Sequence, residues 1–177
     1  MPLTHATATP HFILGGARSG KSAYAESLVT TYQPPYAYIA TAQALDDEMK
    51  DRIRNHQQRR GLSWETVEAP IFLPEAIMSF KSRGMPVLVD CLTLWLSNLL
   101  LTESSDSPQQ SVHALCASIR DADFPLFIVS NEVGAGIVPE NPLARHFRDL
   151  AGFTNQLVAA ASRAVTLVVA GLPLPLK

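Results

Sequence analysis

Short apolar runs alternate with longer stretches of helical period along almost the whole chain. HFILG (11–15) predicts a strand, and Lys21 to about Tyr32 the helix that follows it. YAYIA (36–40) is a second strand, leading to a charged helix over about Asp46–Arg60. SWETVEA (63–69) predicts an edge strand, Leu73–Ser82 a helix, and MPVLVD (85–90) a strongly apolar strand that runs into the helix LTLWLSNLLL. The polar stretch TESSDSPQQ (102–110) predicts a loop, and about Val112–Asp121 a helix. FPLFIVS (124–130) is a further buried strand, followed by a glycine-rich loop and a long helix over about Pro142–Ser162. AVTLVVAG (164–171) closes the sheet, and PLPLK reads as a short proline-rich end.

Strands that are nearly all apolar belong in a parallel sheet covered on both faces. Their alternation with helices predicts an α/β, three-layer domain with a mostly parallel central sheet and right-handed crossovers. No internal repeat and no linker divides the chain, so residues 11–177 are expected to form a single domain behind a flexible tail, residues 1–10. That tail, MPLTHATATP, lacks the basic and apolar regions of a secretory signal.

Composition narrows this picture slightly. Hydrophobic residues make up 47% and charged residues 17% of 177 positions, which is globular composition. A net charge of −2 advertises no nucleic-acid or membrane surface, and no apolar run reaches the ~18–20 residues of a membrane span. Cys91 and Cys116 are too few for a disulfide framework and lack metal-ligand spacing, so a cytoplasmic, reducing setting is expected.

The sharpest chemistry lies in GGARSGKS (15–22), which fits G-x-x-x-x-G-K-[ST] between a predicted strand and a predicted helix. Gly15, Gly16 and Gly20 let the backbone curl so that N–H groups from Gly15, Gly16, Ala17, Arg18, Ser19 and Gly20 face phosphate oxygens. The helix beginning near Lys21 adds its positive dipole end. Lys21 is placed to reach the β- and γ-phosphates, and Ser22 to offer a hydroxyl to Mg²⁺. Asp90, closing VLVD, is the matching metal-site carboxylate, acting through water. The loop predicts nucleoside triphosphate binding but not a reaction, because many activities share it.

A third block, SNEVGAGIVPENPLARHFRDLAGFTNQ (130–156), begins just past a buried strand, where ligands of open α/β sheets bind. Asn131, Glu132, Arg145 and Arg148 are its candidate substrate or phosphate contacts. Taken together, GGARSGKS, YIATAQALDDEMKDRIRNH, DCLTLWLSN and NEVGAGIVPENPLARHFRDLAGFTNQ resemble the bifunctional adenosylcobinamide kinase / adenosylcobinamide-phosphate guanylyltransferase family of cobalamin biosynthesis. The resemblance spans Phe12 to Gly171, and the departures, the tail and residues 102–111, touch no motif.

This resemblance implies a RecA-like P-loop NTPase fold, assembled as a homotrimer. It also implies two reactions: phosphorylation of adenosylcobinamide with ATP or GTP, then transfer of GMP from GTP through a guanylyl-histidine to adenosylcobinamide phosphate. The histidine of the family's RIxxH segment is His56 here, so His56 and Lys21 are the expected catalytic residues. Arg52, Glu68 and Asp90 join the glycine loop in the expected nucleotide site, with Ser22 and Asp90 on Mg²⁺.

Helix geometry bears on His56 independently. At ~100° per residue, Leu45, Met49, Ile53 and His56 fall within about 80° on one face, with Asp47, Lys50, Arg54 and Gln58 opposite. Arg52 and Arg60 flank the apolar stripe and are placed to meet a triphosphate. On the residues alone a histidine packed at a helix–sheet boundary is the commoner arrangement, and it is the resemblance that makes His56 a nucleophile. His146, beside Arg145 and Arg148, is the competing candidate. Two further readings stay open at this level: a plain P-loop small-molecule kinase that leaves His56 idle, and a nucleotide-dependent binding module.

Overall fold

The computed structural model describes residues 8–43, 61–102 and 107–177. The helix expected over Asp46–Arg60, with Arg52 and His56, lies outside these residues.

Seven strands form one sheet: β1 (His11–Gly15), β2 (Tyr36–Ala40), β3 (Trp64–Glu68), β4 (Val87–Asp90), β5 (Leu126–Asn131), β6 (Ala164–Val169) and β7 (Leu172–Pro175). Their order is β3-β2-β4-β5-β1-β6-β7, parallel except for β7. The described helices are α1 (Lys21–Val29), α2 (Leu73–Met78), α3 (Leu92–Leu101), α4 (Pro108–Asp121) and α5 (Pro142–Ala161). The P-loop strand β1 and the Asp90 strand β4 are not neighbours. β5 is inserted between them, and the resulting α/β architecture is RecA-like.

Because side chains alternate across a strand, each central strand feeds two cores. Phe12, Ile39, Val89 and Ile128 point into the larger one, which is closed by Leu73 and Ile77 of α2, Trp95 and Leu96 of α3, Leu115 of α4 and Val158 of α5. Ile13, Tyr38, Leu88, Phe127 and Val129 point the other way, where Ala25 and Val29 of α1 meet them. The continuous apolar runs in the sequence are therefore two interleaved sets of core residues.

Two departures from the sequence expectations have clear causes. The loop expected through residue 110 ends earlier, because Ser107 caps α4. Its Oγ accepts from Gln110 N at 3.3 Å, while Gln110 Oε1 accepts from Ser107 N at 2.9 Å, and Pro108 takes the first helical position. The sheet is closed not by AVTLVVAG, as expected, but by the proline-rich end, which forms the edge strand β7. Ala170 (φ 51°) and Gly171 (φ 79°) make the tight reversal, with Val168 opposite Pro173 and Thr166 opposite Pro175. Leu176 N donates inward to Val165 O at 2.8 Å. The prolines alternate with such inward donors, so their missing N–H groups fall on the outer edge, where no partner is lost.

His11, on β1, is a core residue. It is buried, with Nε2 2.8 Å from Thr166 Oγ1, and burial lowers its pKa from the ordinary 6.5. The unfolded chain therefore binds a proton near pH 6.5 that the folded chain resists, so folding stability falls as pH drops below about 6.5. In urea unfolding at pH 7.5 and 5.5, His11→Gln should lose less stability on acidification than the parent. An equal loss in both proteins would exclude His11 as the titrating group.

Candidate active site

The C-terminal ends of the strands meet at one level. Gly15 lies opposite Asn131 and Val168, Ala40 opposite both Glu68 and Asp90, and Asp90 opposite Val129. Residues scattered over the sequence from Gly15 to Asn131 thus share one rim, the edge at which open α/β sheets bind ligands.

The loop between β1 and α1 is shaped by close approach. A Cβ on Gly15 would lie 2.4 Å from Ser19 Oγ and 2.6 Å from the Val168 carbonyl oxygen. Gly20 has φ +94°, and a Cβ there would come within 3.2 Å of Gly171 Cα. Both positions exclude a side chain, one for space and one for backbone conformation as well. Ser19 N donates to Gly16 O at 3.3 Å, and Gly171 N donates to Ser19 O at 2.8 Å, tying the loop to the β6–β7 turn.

No side chain caps the N-terminus of α1, and its first turn holds no acidic residue. The helix dipole and its free N–H groups are thus left for an anion. Lys21 is buried, with Nζ 3.2 Å from Gly16 O. One of its donors braces the loop that would cradle the phosphates. Ser22, half-buried, follows in the first turn of α1.

Asp90 is half-buried at the end of β4, and Tyr38 Oη donates to its Oδ2 at 3.3 Å. The next residue, Cys91, has its thiol pKa pushed up chiefly by burial and further by the Asp90 carboxylate; a hydrogen bond with Thr93 and the charge of Lys21 act in the opposite sense. A thiol held protonated this way is no nucleophile.

Beneath this rim runs a polar network in which the sequence reading had singled out only Asn131, as a substrate or phosphate contact. Thr41 Oγ1 accepts from Cys91 N and donates to Cys91 O, both at 2.8 Å. Asn98 Nδ2, on α3, donates to Thr41 O at 2.8 Å and Pro70 O at 3.0 Å. Asn131 Nδ2 donates to Thr93 Oγ1 at 2.9 Å, and Asn155 Nδ2, on α5, donates to Asn131 O at 3.2 Å. These bonds fasten the chain beyond β2, β3, β4 and β5 to two helices, so the floor of the site is rigid. The sequence signal was a polar asparagine inside the largely apolar LTLWLSNLLL. The Oδ1 atoms of Asn131 and Asn155 are buried with no donor among the described residues.

The loop after β5 is held by its own residues. Glu132 N donates to Gly15 O at 3.1 Å, and the Glu132 carboxylate accepts from Gly134 N. Arg148 Nη2 donates to Gly134 O at 2.8 Å; Arg145 Nη1 donates to Pro139 O at 3.0 Å and also to Glu140 O. The two arginines expected to meet substrate thus brace loop carbonyls. Glu68 is exposed at the end of the edge strand β3, across from Ala40, and His146 is exposed on α5. Gly15 to Ser22, Asp90, Asn131 and Glu132 are brought together along the β1–β5–β4 rim, with Glu68 at its far end. Arg145 and Arg148 stand behind the loop, while Arg52 and His56 lie outside the described residues.

A glycine loop between strand and helix, a buried lysine at its mouth and a carboxylate on the strand one removed define a P-loop nucleotide-binding protein of the RecA-like class. Residues 11–176 match the model of the cobinamide kinase / cobinamide phosphate guanyltransferase family, and the chain belongs to that family. It is 46% identical over 165 residues to the bifunctional adenosylcobalamin biosynthesis protein CobP of Pseudomonas aeruginosa, covering 93% of this chain and 95% of that protein. The corresponding CobU proteins of Escherichia coli and Salmonella typhimurium are 42% and 40% identical over 178 residues, each covering 93% of this chain and 98% of the relative.

Proposed function

We propose that the chain phosphorylates adenosylcobinamide and then guanylylates the product through a covalent intermediate on His56. In a chain of this family, the observation that carries the reading is the meeting of the loop's N–H groups, Lys21, Ser22 and Asp90 at one rim.

In the first step the P-loop N–H groups and Lys21 hold the β- and γ-phosphates of ATP or GTP. The substrate hydroxyl attacks the γ-phosphorus as the bond to the β-phosphate oxygen breaks, and the hydroxyl proton is released. In the second step a neutral His56 nitrogen attacks the α-phosphorus of GTP. An N–P bond forms, the α–β bridging bond breaks, and pyrophosphate leaves. A phosphate oxygen of adenosylcobinamide phosphate then displaces His56, giving adenosylcobinamide-GDP. Imidazole suits this role because it is substantially unprotonated near pH 7 and is both a fair nucleophile and a fair leaving group. Positive charge from Lys21 stabilises the equatorial oxygens during transfer.

The donor set at the rim fits Mg²⁺: the Ser22 hydroxyl and the Asp90 carboxylate are hard oxygen ligands that would hold the ion together with the nucleotide and water. Bound there, Mg²⁺ would neutralise phosphate charge as transfer proceeds. By the same family reading, residues 11–177 work as one nucleotide-binding domain behind the tail of residues 1–10, in a cytoplasmic homotrimer. Arg52 and Glu68 contact the nucleotide, and Asn131, Glu132, Arg145 and Arg148 lie on the acceptor side. Among the described residues no helix is long and apolar enough to cross a membrane.

The test is incubation with GTP labelled on the α- or the γ-phosphate, without corrinoid. The α-label should remain on the protein as an acid-labile, hydroxylamine-resistant adduct that adenosylcobinamide phosphate discharges, and the γ-label should not. No α-label alongside normal corrinoid phosphorylation would leave a plain P-loop kinase. Neither product, with nucleotide altering assembly alone, would leave a binding module.

A further inference from the structure

Between the loop after β5 and helix α5 lies an open groove of about 380 Å³, lined by Gly134, Arg148, Asp149, Gly152, Phe153 and Gln156. The loop on one side is tied to the P-loop strand through Glu132 N and Gly15 O, so the groove opens beside the nucleotide rim. On α5 its residues form a single stripe at helical spacing, turned away from the buried Leu150, Ala151, Thr154, Asn155 and Val158.

Gly152 stands in the interior of this 20-residue helix, where glycine is less favourable than alanine. Its φ is not in the left-handed region, and a Cβ added there would meet nothing within 4 Å. Neither backbone conformation nor packing among the described residues therefore calls for glycine. A bulky body resting against the helix at this point does, and Gly152 is part of the groove wall.

The lining also describes that body. Arg148 and Asp149 balance in charge, and the Asp149 carboxylate disfavours a polyphosphate here. Together with Gln156 they offer both donors and acceptors, the complement of neutral carboxamides. Phe153 is 40% exposed, and the loop that contributes Gly134 carries Ile137 and Val138, 98% and 56% exposed. Apolar surface thus accompanies the amide-binding groups. A large, flat, amide-fringed ligand fits this combination.

We propose that this groove receives the amide-fringed edge of the corrinoid ring of adenosylcobinamide. The volume suits one edge of such a ring, with the remainder lying across the loop. The assignment rests on the corrinoid being the substrate, as set out under the proposed function. It would place the acceptor on the α5 side of the P-loop, with its reactive arm directed to the rim.

The test uses the full chain and measures adenosylcobinamide binding by calorimetry, beside α-label incorporation from GTP. Gly152→Ala should raise the melting temperature by about 2–4 °C through better helix formation, yet weaken corrinoid binding about tenfold by crowding the wall. Phe153→Ala should weaken corrinoid binding severalfold, and both variants should still take up α-label. Corrinoid affinity within twofold of the parent in both variants would overturn the assignment. So would a change in sedimentation without corrinoid, which would make this face a contact between copies. A parent chain that takes up label but binds no adenosylcobinamide sinks the groove alone. A parent that binds corrinoid without taking up label counts against the guanylyl transfer and leaves the groove standing.

Discussion

His56→Ala should abolish GMP transfer, by at least about 10³-fold, while a measurable share of adenosylcobinamide phosphorylation persists. Removing a covalent nucleophile eliminates the pathway itself, so the loss is of the order seen for other enzyme nucleophiles. The kinase step needs no nitrogen nucleophile, since the substrate supplies its own hydroxyl. Two assays on one preparation decide the matter: adenosylcobinamide-GDP formed from GTP and adenosylcobinamide phosphate, and adenosylcobinamide phosphate formed from γ-labelled ATP. Loss of the first with survival of the second is the expected pattern. Full retention of GMP transfer would remove His56 as the nucleophile and make His146, exposed on α5, the next to replace. Equal loss of both activities with normal folding would give His56 a general role in nucleotide binding.

Lys21→Ala should damage both activities, each by about 10²–10³-fold, the usual cost of removing one preorganised group from a phosphoryl-transfer site. Lys21 is buried at the mouth of the glycine loop and braces Gly16 O at 3.2 Å, so its loss removes charge at the phosphates and a tie within the loop. Lys21→Arg should not restore activity, because a planar guanidinium cannot replace a compact ammonium in that buried position. Thermal unfolding separates this from misfolding, since the melting temperature should change by a few degrees at most. Loss of the kinase with unchanged GMP transfer would mean that GTP for the second step binds away from the P-loop.

Much of this molecule was legible before any coordinate. β1, β2 and α3 run over the residues the sequence marked, because each is bounded by a change of period or a turn residue that acts locally. The P-loop was legible because its glycines, Lys21 and Ser22 form one continuous motif between a strand and a helix, although the contacts that exclude a side chain at Gly15 and Gly20 reach Val168 and Gly171, far along the chain. The capping box at Ser107 and Gln110 was also written locally, but it sat within a polar run that resembled a loop. β7 was missed because two prolines argue against a strand unless it is known to lie at an edge, and edge position is a property of the whole sheet.

The division between sequence and tertiary structure follows from range. The sequence by itself determined the α/β class, the glycine loop, the carboxylate that ends β4 and, by resemblance, the family in which His56 is the proposed nucleophile. Each depends on neighbours in the chain or on motifs preserved as continuous stretches. Only the tertiary structure decided that β5 lies between the P-loop strand and the Asp90 strand, and that Thr41, Asn98, Asn131 and Asn155 join into one hydrogen-bonded floor. It also turned Arg145 and Arg148 toward loop carbonyls and left Gly152 facing an open groove. The hydrogen bonds of that floor join residues up to 57 positions apart, as in the bond from Asn98 to Thr41, and the strand pairing joins residues farther apart still, as Gly15 with Asn131. No local pattern encodes such pairings, because they arise when apolar faces bury against one another and bring the strand ends to a common edge.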